Sequence, residues 1–225
     1  MKTVPAAHLE DLVRQIGSLR GVGWGVAVPG EGELYPAEAA AIARARPERR
    51  AEFAAGRLAA RRAMAQLGLA DAAIPMGVDR APVWPKGLVG SISHAEGVCL
   101  GVVARDADYR SLGIDVEGDD PLAEDLIPEI CLPEELGLLP AGARAARAKR
   151  LFSAKEAAYK AHYPLAGKVF GFHGLRVDLG QGCARFTDHP EVASIPPESR
   201  WDLPLRQVVG NGLILSLSAV PAGIS

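Results

Sequence analysis

The segment Gly113-Ile114-Asp115-Val116-Glu117 constrains the fold of this chain more than any other stretch. Successive side chains of a β-strand point to opposite faces, so Ile114 and Val116 would enter a core while Asp115 and Glu117 share the other face. Two neighbouring carboxylates repel each other, and a bound cation such as Mg²⁺ offsets that repulsion with its preference for oxygen ligands. The pattern taken alone also fits the solvated face of an edge strand.

A second segment, residues 152–160, predicts a helix because it is rich in Ala and Lys and contains no helix breaker. Glu156 and Lys160 are four residues apart and therefore share one helical face. They are either an ordinary surface pair, or a third carboxylate for the cation together with an ammonium group for phosphate. These residues alone leave both interpretations open.

Composition narrows the classes of function. The chain has 225 residues, 48% hydrophobic, with a formal net charge of -2, which argues against nucleic acid as a partner. Its three cysteines, Cys99, Cys131 and Cys183, are widely spaced and odd in number, which is typical of a reducing compartment. No signal peptide and no apolar run of the roughly 20 residues that span a membrane is recognisable, so we expect a cytoplasmic protein without membrane contact.

The order of predicted elements indicates an α+β fold of two similar α+β halves in a pseudo-twofold arrangement. In each half helices precede strands, and the apolar strand at Val98–Ala104 resembles a later one at Leu213–Ala219. We place the halves at residues 1–110 and 111–225, and expect the Val98–Ala104 and Asp115 strands to be neighbours or a hairpin. The other elements expected are helices at 7–18, 36–67 and 142–163, the last ending at Tyr163-Pro164, a strand at Trp24–Val28, short helices within 121–140, and a hairpin turn at Gly210-Asn211-Gly212.

A basic series in residues 36–67 is a candidate binding surface. Four of its arginines fall near one helical face: Arg49, Arg50, Arg57 and Arg61. Such a series is usually a solvated face, but the planar fork of arginine also suits a clamp on a polyanionic small molecule. Ser93 and His94, further along the chain, have side chains able to bind a phosphate or a nucleotide. No nucleophile elbow accompanies them, so a hydrolase triad is not indicated.

Taken together, these segments resemble one family. The stretches Arg49–Arg57, Trp84–Gly87 with Ser91–His94, Gly113–Glu117 and Phe152–Lys160 are similar, in the same order, to motifs of the 4′-phosphopantetheinyl transferases. The resemblance is to the larger, monomeric type that acts on siderophore, polyketide and nonribosomal-peptide carrier proteins, and it covers about residues 40–165. Phe152 stands where the family commonly has Trp.

The resemblance implies the family's fold and its reaction, in which the 4′-phosphopantetheine arm of coenzyme A moves to a serine of an acyl or peptidyl carrier protein, releasing adenosine 3′,5′-bisphosphate. It implies Mg²⁺ held by Asp115, Glu117 and Glu156, with Glu156 also receiving the serine proton and Lys160 stabilising developing charge. The residues implied to contact coenzyme A are Arg49, Arg57, Arg80, Ser93, His94, Lys155 and Lys160.

The carrier protein is expected to dock beside the segment Pro121–Pro140, which joins the two carboxylate-bearing elements. That segment contains apolar residues that we expect to be exposed, and a basic run follows it that would steer an acidic carrier. The apolar residues are Leu126, Ile127, Leu136, Leu138 and Leu139, and the basic run is Arg144, Arg147, Lys149 and Arg150. Filling of the local core by the leucines and a merely solvated basic face remain the alternative.

Two other functions fit parts of the pattern. A metal-dependent phosphodiesterase or nuclease would also use an acidic pair with a further Glu and a Lys, but the near-neutral charge and the arginine series disfavour it. An inert coenzyme-A-binding module would need only the clamp. The three carboxylates disfavour that function, because a pure binder has no use for such repulsion.

Overall fold

A computed structural model describes residues 3–137 and 143–223. Its α-helices are α1 (Ala6–Gln15), α2 (Pro36–Ala39), α3 (Pro47–Gln66), α4 (Ile127–Ile130), α5 (Pro133–Gly137) and α6 (Arg144–Ala166). Its strands are β1 (Val22–Ala27), β2 (Leu88–Ala95), β3 (Val98–Arg105), β4 (Tyr109–Gly118), β5 (Leu175–Asp178), β6 (Cys183–Phe186), β7 (Leu203–Gly210) and β8 (Leu213–Pro221).

The chain forms two halves with the same succession of a strand, a long helix and a pair of strands. In the first half the sheet order is β1-β3-β2, with α3 packed on it. In the second the order is β4-β8-β7, with α6 packed on it, and β6 and β5 extend this sheet. All neighbouring strands are antiparallel. The α+β fold of two similar halves is thus confirmed. The division between residues 110 and 111 falls within β4 and remains our proposal.

The long helices lie unusually close to the first strand of each half. A side chain at Gly25 in β1 would place its Cβ 2.1 Å from the carbonyl oxygen of Ala59 in α3. A side chain at Gly113 in β4 would likewise place its Cβ 2.1 Å from the carbonyl oxygen of Ala157 in α6. Both distances are far shorter than van der Waals contact, so glycine is required at both positions. In each half the long helix therefore packs directly against the backbone of the first strand.

The main core lies between the two sheets and determines which way the acidic pair points. Alternate residues of β3 and β4, including Leu100, Ile114 and Val116, form one buried apolar cluster with residues of β8 and α1. The other faces of the sheets carry α3 and α6. Asp115 and Glu117 therefore lie on the face of β4 that is covered by α6, as the alternation predicts.

The two sheets meet edge to edge at β2 and β4 through serine side chains. Ser91 Oγ accepts a hydrogen bond from the Ile114 amide at 3.1 Å, and Ser93 Oγ accepts one from the Val116 amide at 3.1 Å. The predicted hairpin of the Val98–Ala104 and Asp115 strands is therefore wrong. Both edges of β3 are already occupied by β1 and β2, so β4 lies beside β2 and pairs with β8.

The predicted end of the long helix is wrong, whereas the predicted hairpin turn is confirmed. Helix α6 continues through Pro164 to Ala166 and ends at Gly167, whose φ of 61° is left-handed, so the predicted end at Tyr163-Pro164 is wrong. A proline in the last turn removes one helical hydrogen bond, which costs less there than in the helix interior. The predicted hairpin turn is confirmed, because Asn211 and Gly212, at φ 54° and 79°, connect β7 to β8 as a two-residue turn.

Within the described ranges no helix combines the length and the apolar character that crossing a bilayer would require. Cys99, Cys131 and Cys183 are buried and free.

Candidate active site

A cleft of about 380 Å³ opens where the two halves meet. It brings together the predicted site residues of α3, β2, β4 and α6, with the single exception of Lys155. The predicted residues that line it are Arg49, Arg57, Arg80, Ser93, His94, Asp115, Glu117, Glu156 and Lys160. One wall is therefore basic and comes from the first half, while the opposite wall is acidic and comes from the second.

Asp115 is the most buried carboxylate of the acidic wall, with 3% of the residue exposed. Its Oδ1 accepts hydrogen bonds from Lys160 Nζ at 2.7 Å and from Ser93 Oγ at 3.2 Å. Its Oδ2 is buried and has no hydrogen-bond partner. A buried carboxylate oxygen without a partner is costly, so this atom is suited to a ligand. Ser93, predicted to contact coenzyme A, thus also orients Asp115.

Glu117 and Glu156 complete a concentration of negative charge. Burial raises the pKa of Glu117 above its ordinary value, while the hydrogen bond from Lys149 and the other nearby ammonium group oppose the shift. Burial also raises the pKa of Glu156, and the neighbouring Asp115 and Glu117 raise it further, against the opposing charge of Lys160. The folded protein therefore disfavours simultaneous ionisation of these carboxylates, and a bound cation would reduce the repulsion between them.

The residues of this wall fit a hard cation by their chemistry. Three carboxylates, one with an unpartnered buried oxygen, are the donor set that Mg²⁺ prefers. In the part of the chain that the structure describes, no three His, Cys, Asp or Glu side chains come together closely enough to hold a metal ion. Two of the carboxylates pair with ammonium groups: Glu117 pairs with Lys149, and Asp115 pairs with Lys160.

Lys149 lies beside the acidic wall, and its position differs from its predicted place in the basic run that faces the carrier. Its ammonium group donates to Glu117 Oε2. The signal was present in the spacing: Lys149, Glu156 and Lys160 follow each other at intervals of seven and four residues, which places all three on one face of α6.

Arg49 and His94 form the outer part of the basic wall. Arg49 Nη1 lies 2.9 Å from His94 Nε2 and 3.3 Å from Glu52 Oε2. Partial desolvation lowers the pKa of His94, and the charge of Arg49 acts in the same direction. A neutral His94 accepts the hydrogen bond from Arg49 through Nε2.

Arg57 forms the inner part of the basic wall and is only 5% exposed. Its Nε donates to the carbonyl oxygen of Ile74 at 2.9 Å, and its guanidinium carbon lies 3.8 Å from the centre of the Phe53 ring. Burial lowers the pKa of Arg57 to about 10, so the side chain remains charged at neutral pH. These contacts fix the guanidinium group in advance of any ligand.

Arg80 lies at the edge of the cleft in a tight turn. Its φ of 71° is left-handed, and its amide donates to the carbonyl oxygen of Gly77 at 3.0 Å. A residue other than glycine in this conformation is strained, and such strain is concentrated at functional sites.

The predicted arginine face of α3 divides into separate environments. Arg61 is buried and pairs with Glu38 at 2.9 Å, so it serves the fold of the first half and does not line the cleft. Arg50 is exposed. Arg49 and Arg57 alone, of the four arginines predicted to share a face, line the cleft.

The prediction that Lys155 contacts a phosphate is contradicted by its environment. Lys155 is 1% exposed, and its Nζ lies 2.8 Å from Glu135 Oε2, 2.8 Å from the Ile130 carbonyl oxygen and 3.1 Å from the Phe172 carbonyl oxygen. Three acceptors satisfy the three hydrogens of an ammonium group. Glu156 follows at once in the chain, but successive helical residues point about 100° apart, so one faces the cleft and the other does not.

Comparisons with known proteins agree with this geometry. Residues 37–104 match the model of the 4'-phosphopantetheinyl transferase N-terminal domain, and residues 111–203 match that of the 4'-phosphopantetheinyl transferase superfamily. The chain is 40% identical to 4'-phosphopantetheinyl transferase Svp of Streptomyces mobaraensis, over 84% of this chain and 80% of Svp. It is 42% identical to 4'-phosphopantetheinyl transferase PptT of Mycobacterium tuberculosis, over 80% and 83%. It is also 38% identical to enterobactin synthase component D of Salmonella typhi, over 51% and 48%.

The two matched models divide at the junction between the halves, and each wall of the cleft falls within one of them. The chain therefore belongs to the 4′-phosphopantetheinyl transferase superfamily, whose members transfer the phosphopantetheine group of coenzyme A to carrier proteins.

Proposed function

We propose that this protein joins the 4′-phosphopantetheine arm of coenzyme A to a serine of an acyl or peptidyl carrier protein. The serine oxygen bonds to the phosphorus that bears the arm, the pyrophosphate bond breaks, and adenosine 3′,5′-bisphosphate leaves. The observation that carries the proposal is one cleft in which Asp115, Glu117, Glu156 and Lys160 face a wall of arginine and histidine.

Asp115, Glu117 and Glu156 are the proposed ligands of Mg²⁺, which when bound would neutralise charge on the pyrophosphate. The unpartnered Asp115 Oδ2 and the raised pKa of both glutamates support this assignment. Lys160 lies next to Asp115 and is proposed to stabilise the charge that develops during transfer.

Glu156 is the proposed acceptor of the serine proton, directly or through a water molecule. Glu156 lines the cleft together with Asp115, Glu117 and Lys160, so its carboxylate lies in the site at which the serine would react.

The proposed contacts of coenzyme A are Arg49, Arg57, Arg80, Ser93, His94 and Lys160. The prior hydrogen bonds of Arg57 and of Arg49 reduce the side-chain entropy lost on binding a phosphate. Arg80 and His94 are proposed to bind the 3′-phosphate and the pyrophosphate side. Lys155 is not among these contacts.

The carrier protein is proposed to dock beside the segment that precedes α6. Arg144 and Arg147 are exposed at the start of α6, which supports steering of an acidic carrier, and Leu126 is 40% exposed. Ile127 is buried in the core of the second half, so its predicted exposure is wrong. Leu138, Leu139 and the side chain of Leu136 lie outside the described residues.

We further propose that the protein acts in the cytoplasm as a monomer, without nucleic-acid or membrane partners. Its three buried free thiols support a reducing compartment. The similarity to enterobactin synthase component D supports a carrier protein of siderophore biosynthesis, and polyketide or nonribosomal-peptide carriers belong to the same class of substrate.

Mass spectrometry of a carrier protein incubated with this protein, coenzyme A and Mg²⁺ tests the proposal. The expected result is a gain of one phosphopantetheine group on a serine, lost when EDTA replaces Mg²⁺. An unmodified carrier across a panel of acyl and peptidyl carriers would refute transfer. Cleaved nucleic acid, or coenzyme A bound without transfer, would identify the nuclease or the inert binding module instead.

A further inference from the structure

Lys155 and Glu135 form an ion pair that is almost completely closed off from solvent. Their side chains are 1% and 4% exposed, and Nζ lies 2.8 Å from Oε2. The ammonium group also donates to the carbonyl oxygens of Ile130 and Phe172. Every hydrogen on Nζ therefore has an acceptor, and the reaction as proposed above uses neither residue.

The carboxylate of Glu135 is equally well satisfied. Besides Lys155, Oε2 accepts the Leu132 amide at 2.8 Å, and Oε1 accepts the Val177 amide at 2.8 Å. One pair thus joins α6, the segment from Ile130 to Glu135 between the end of α4 and the first residues of α5, and β5. It binds four backbone groups that would otherwise be buried without these partners.

The packing of α6 explains why such a pair would matter. The helix rests on its sheet through small buried residues, Ala154, Ala157, Ala158 and Ala161. Besides these contacts, Ser153 Oγ lies 2.8 Å from Ser216 Oγ of β8, and the Lys155–Glu135 pair adds a further polar contact that opposes rotation of the helix. A buried ion pair contributes little net stability compared with an apolar pair of similar volume, but it specifies one geometry.

We propose that the Lys155–Glu135 pair positions the catalytic machinery for the transfer proposed above, an inference that rests on that function. The pair sets the rotation of α6 at the adjoining Glu156 and holds the Ile130–Glu135 segment beside it. Because most of the proposed coenzyme A contacts lie on α3, β2 and the Arg80 turn, the pair acts mainly on the carrier-dependent step and only weakly on coenzyme A binding.

The test compares Glu135→Gln with a matched variant, Glu38→Gln. Glu38 is also buried, pairs with Arg61 at 2.9 Å and accepts the Ile74 amide at 2.8 Å, but it lies in the first half, outside the cleft. Thermal unfolding, calorimetric affinity for coenzyme A, and kcat and KM for the carrier are measured where both variants are folded. The expected result for Glu135→Gln is a fall of about 10- to 100-fold in kcat/KM for the carrier, with a much smaller change in coenzyme A affinity. Glu38→Gln should keep the wild-type kcat and KM for the carrier at saturating coenzyme A, although its Ile74 contact adjoins Arg57.

Equal kcat/KM for the carrier in the two variants would overturn the inference, and the pair would then be a stabilising contact only. If Glu135→Gln does not fold, the double variant Lys155→Met/Glu135→Gln takes its place, because it buries no unpaired charge. It should fold, although the Ile130 and Phe172 carbonyl oxygens lose their donor, while kcat/KM for the carrier stays low, and recovery of wild-type kcat/KM would refute positioning. A wild-type protein that loads no carrier refutes the proposed function instead, so the two failures are distinguishable.

Discussion

Replacing Arg57 with Ala should damage both the fold and coenzyme A binding, by amounts that can be separated. The change removes the donor to the Ile74 carbonyl oxygen, and a buried acceptor left without a partner costs about 1–3 kcal/mol. It also removes the stacking of the guanidinium group on Phe53, which contributes about 0.5–2 kcal/mol. The expected loss of stability is about 1.5–5 kcal/mol, which for a chain of this size lowers Tm by roughly 3–20 °C.

The effect on binding follows from the proposed contact with phosphate. A hydrogen bond to a charged group contributes about 1.5–3 kcal/mol, so losing one should weaken coenzyme A binding about 10- to 100-fold. Calorimetry with coenzyme A and with 3′-dephospho-coenzyme A shows which phosphate Arg57 contacts. If it is the 3′-phosphate, only the affinity for intact coenzyme A falls.

Arg50→Ala is the matched control for this experiment. Arg50 lies on the same helix but is exposed and does not line the cleft, so its removal should change neither Tm nor affinity. The proposed roles of Arg57 are refuted if Arg57→Ala has the same Tm as Arg50→Ala, or if Arg57→Ala binds both forms of coenzyme A with wild-type affinity.

Three further predictions concern the two walls of the cleft and the carrier. Asp115→Ala and Glu156→Ala should each lower transfer about a hundredfold or more at saturating Mg²⁺ with unchanged circular dichroism, and near wild-type rates would exclude the metal site. The pKa of His94 is lowered by partial desolvation, so the unfolded chain binds a proton more readily than the folded one. The contribution of His94 to stability should therefore fall as pH drops below about 6.5, so the stability of His94→Gln relative to the wild type should increase as pH falls, measured by urea unfolding at several pH values, whereas a difference that does not change with pH would contradict this cause. Arg144→Glu and Arg147→Glu should raise KM for the carrier at low salt without changing KM for coenzyme A, and an unchanged carrier KM would end the docking proposal.

Local patterns account for the parts of the site that sequence reasoning identified. The alternation in Gly113–Glu117 predicts which side chains enter the core, because a strand has a strict period of two wherever it lies. The Asn211-Gly212 turn is equally local, since left-handed φ angles at two successive residues suit these residue types. The spacing of Glu156 and Lys160 needs only helical geometry to place them on one face.

Which elements become neighbours was decided by tertiary packing. β4 lies beside β2 and does not pair with β3, because β1 and β2 already pair with both edges of β3. The apolar run at Val98–Ala104 predicts a buried strand but does not indicate which strands pair with it. Lys149 meets Glu117 for the same kind of reason, because the contact depends on how α6 lies over β4.

Lys155 shows most clearly where sequence reasoning ends. The sequence determined that Lys155 and Glu156 stand side by side on a helix, and it determined the charge, the helical phase and the strand faces of the candidate site. Only the tertiary structure decided that Glu156 lines the cleft while Lys155 is buried against Glu135, twenty residues earlier in the chain. The physical reason is that a side chain's charge and its direction on its own element are local properties. The group it meets depends on burial, which is settled only when distant segments pack.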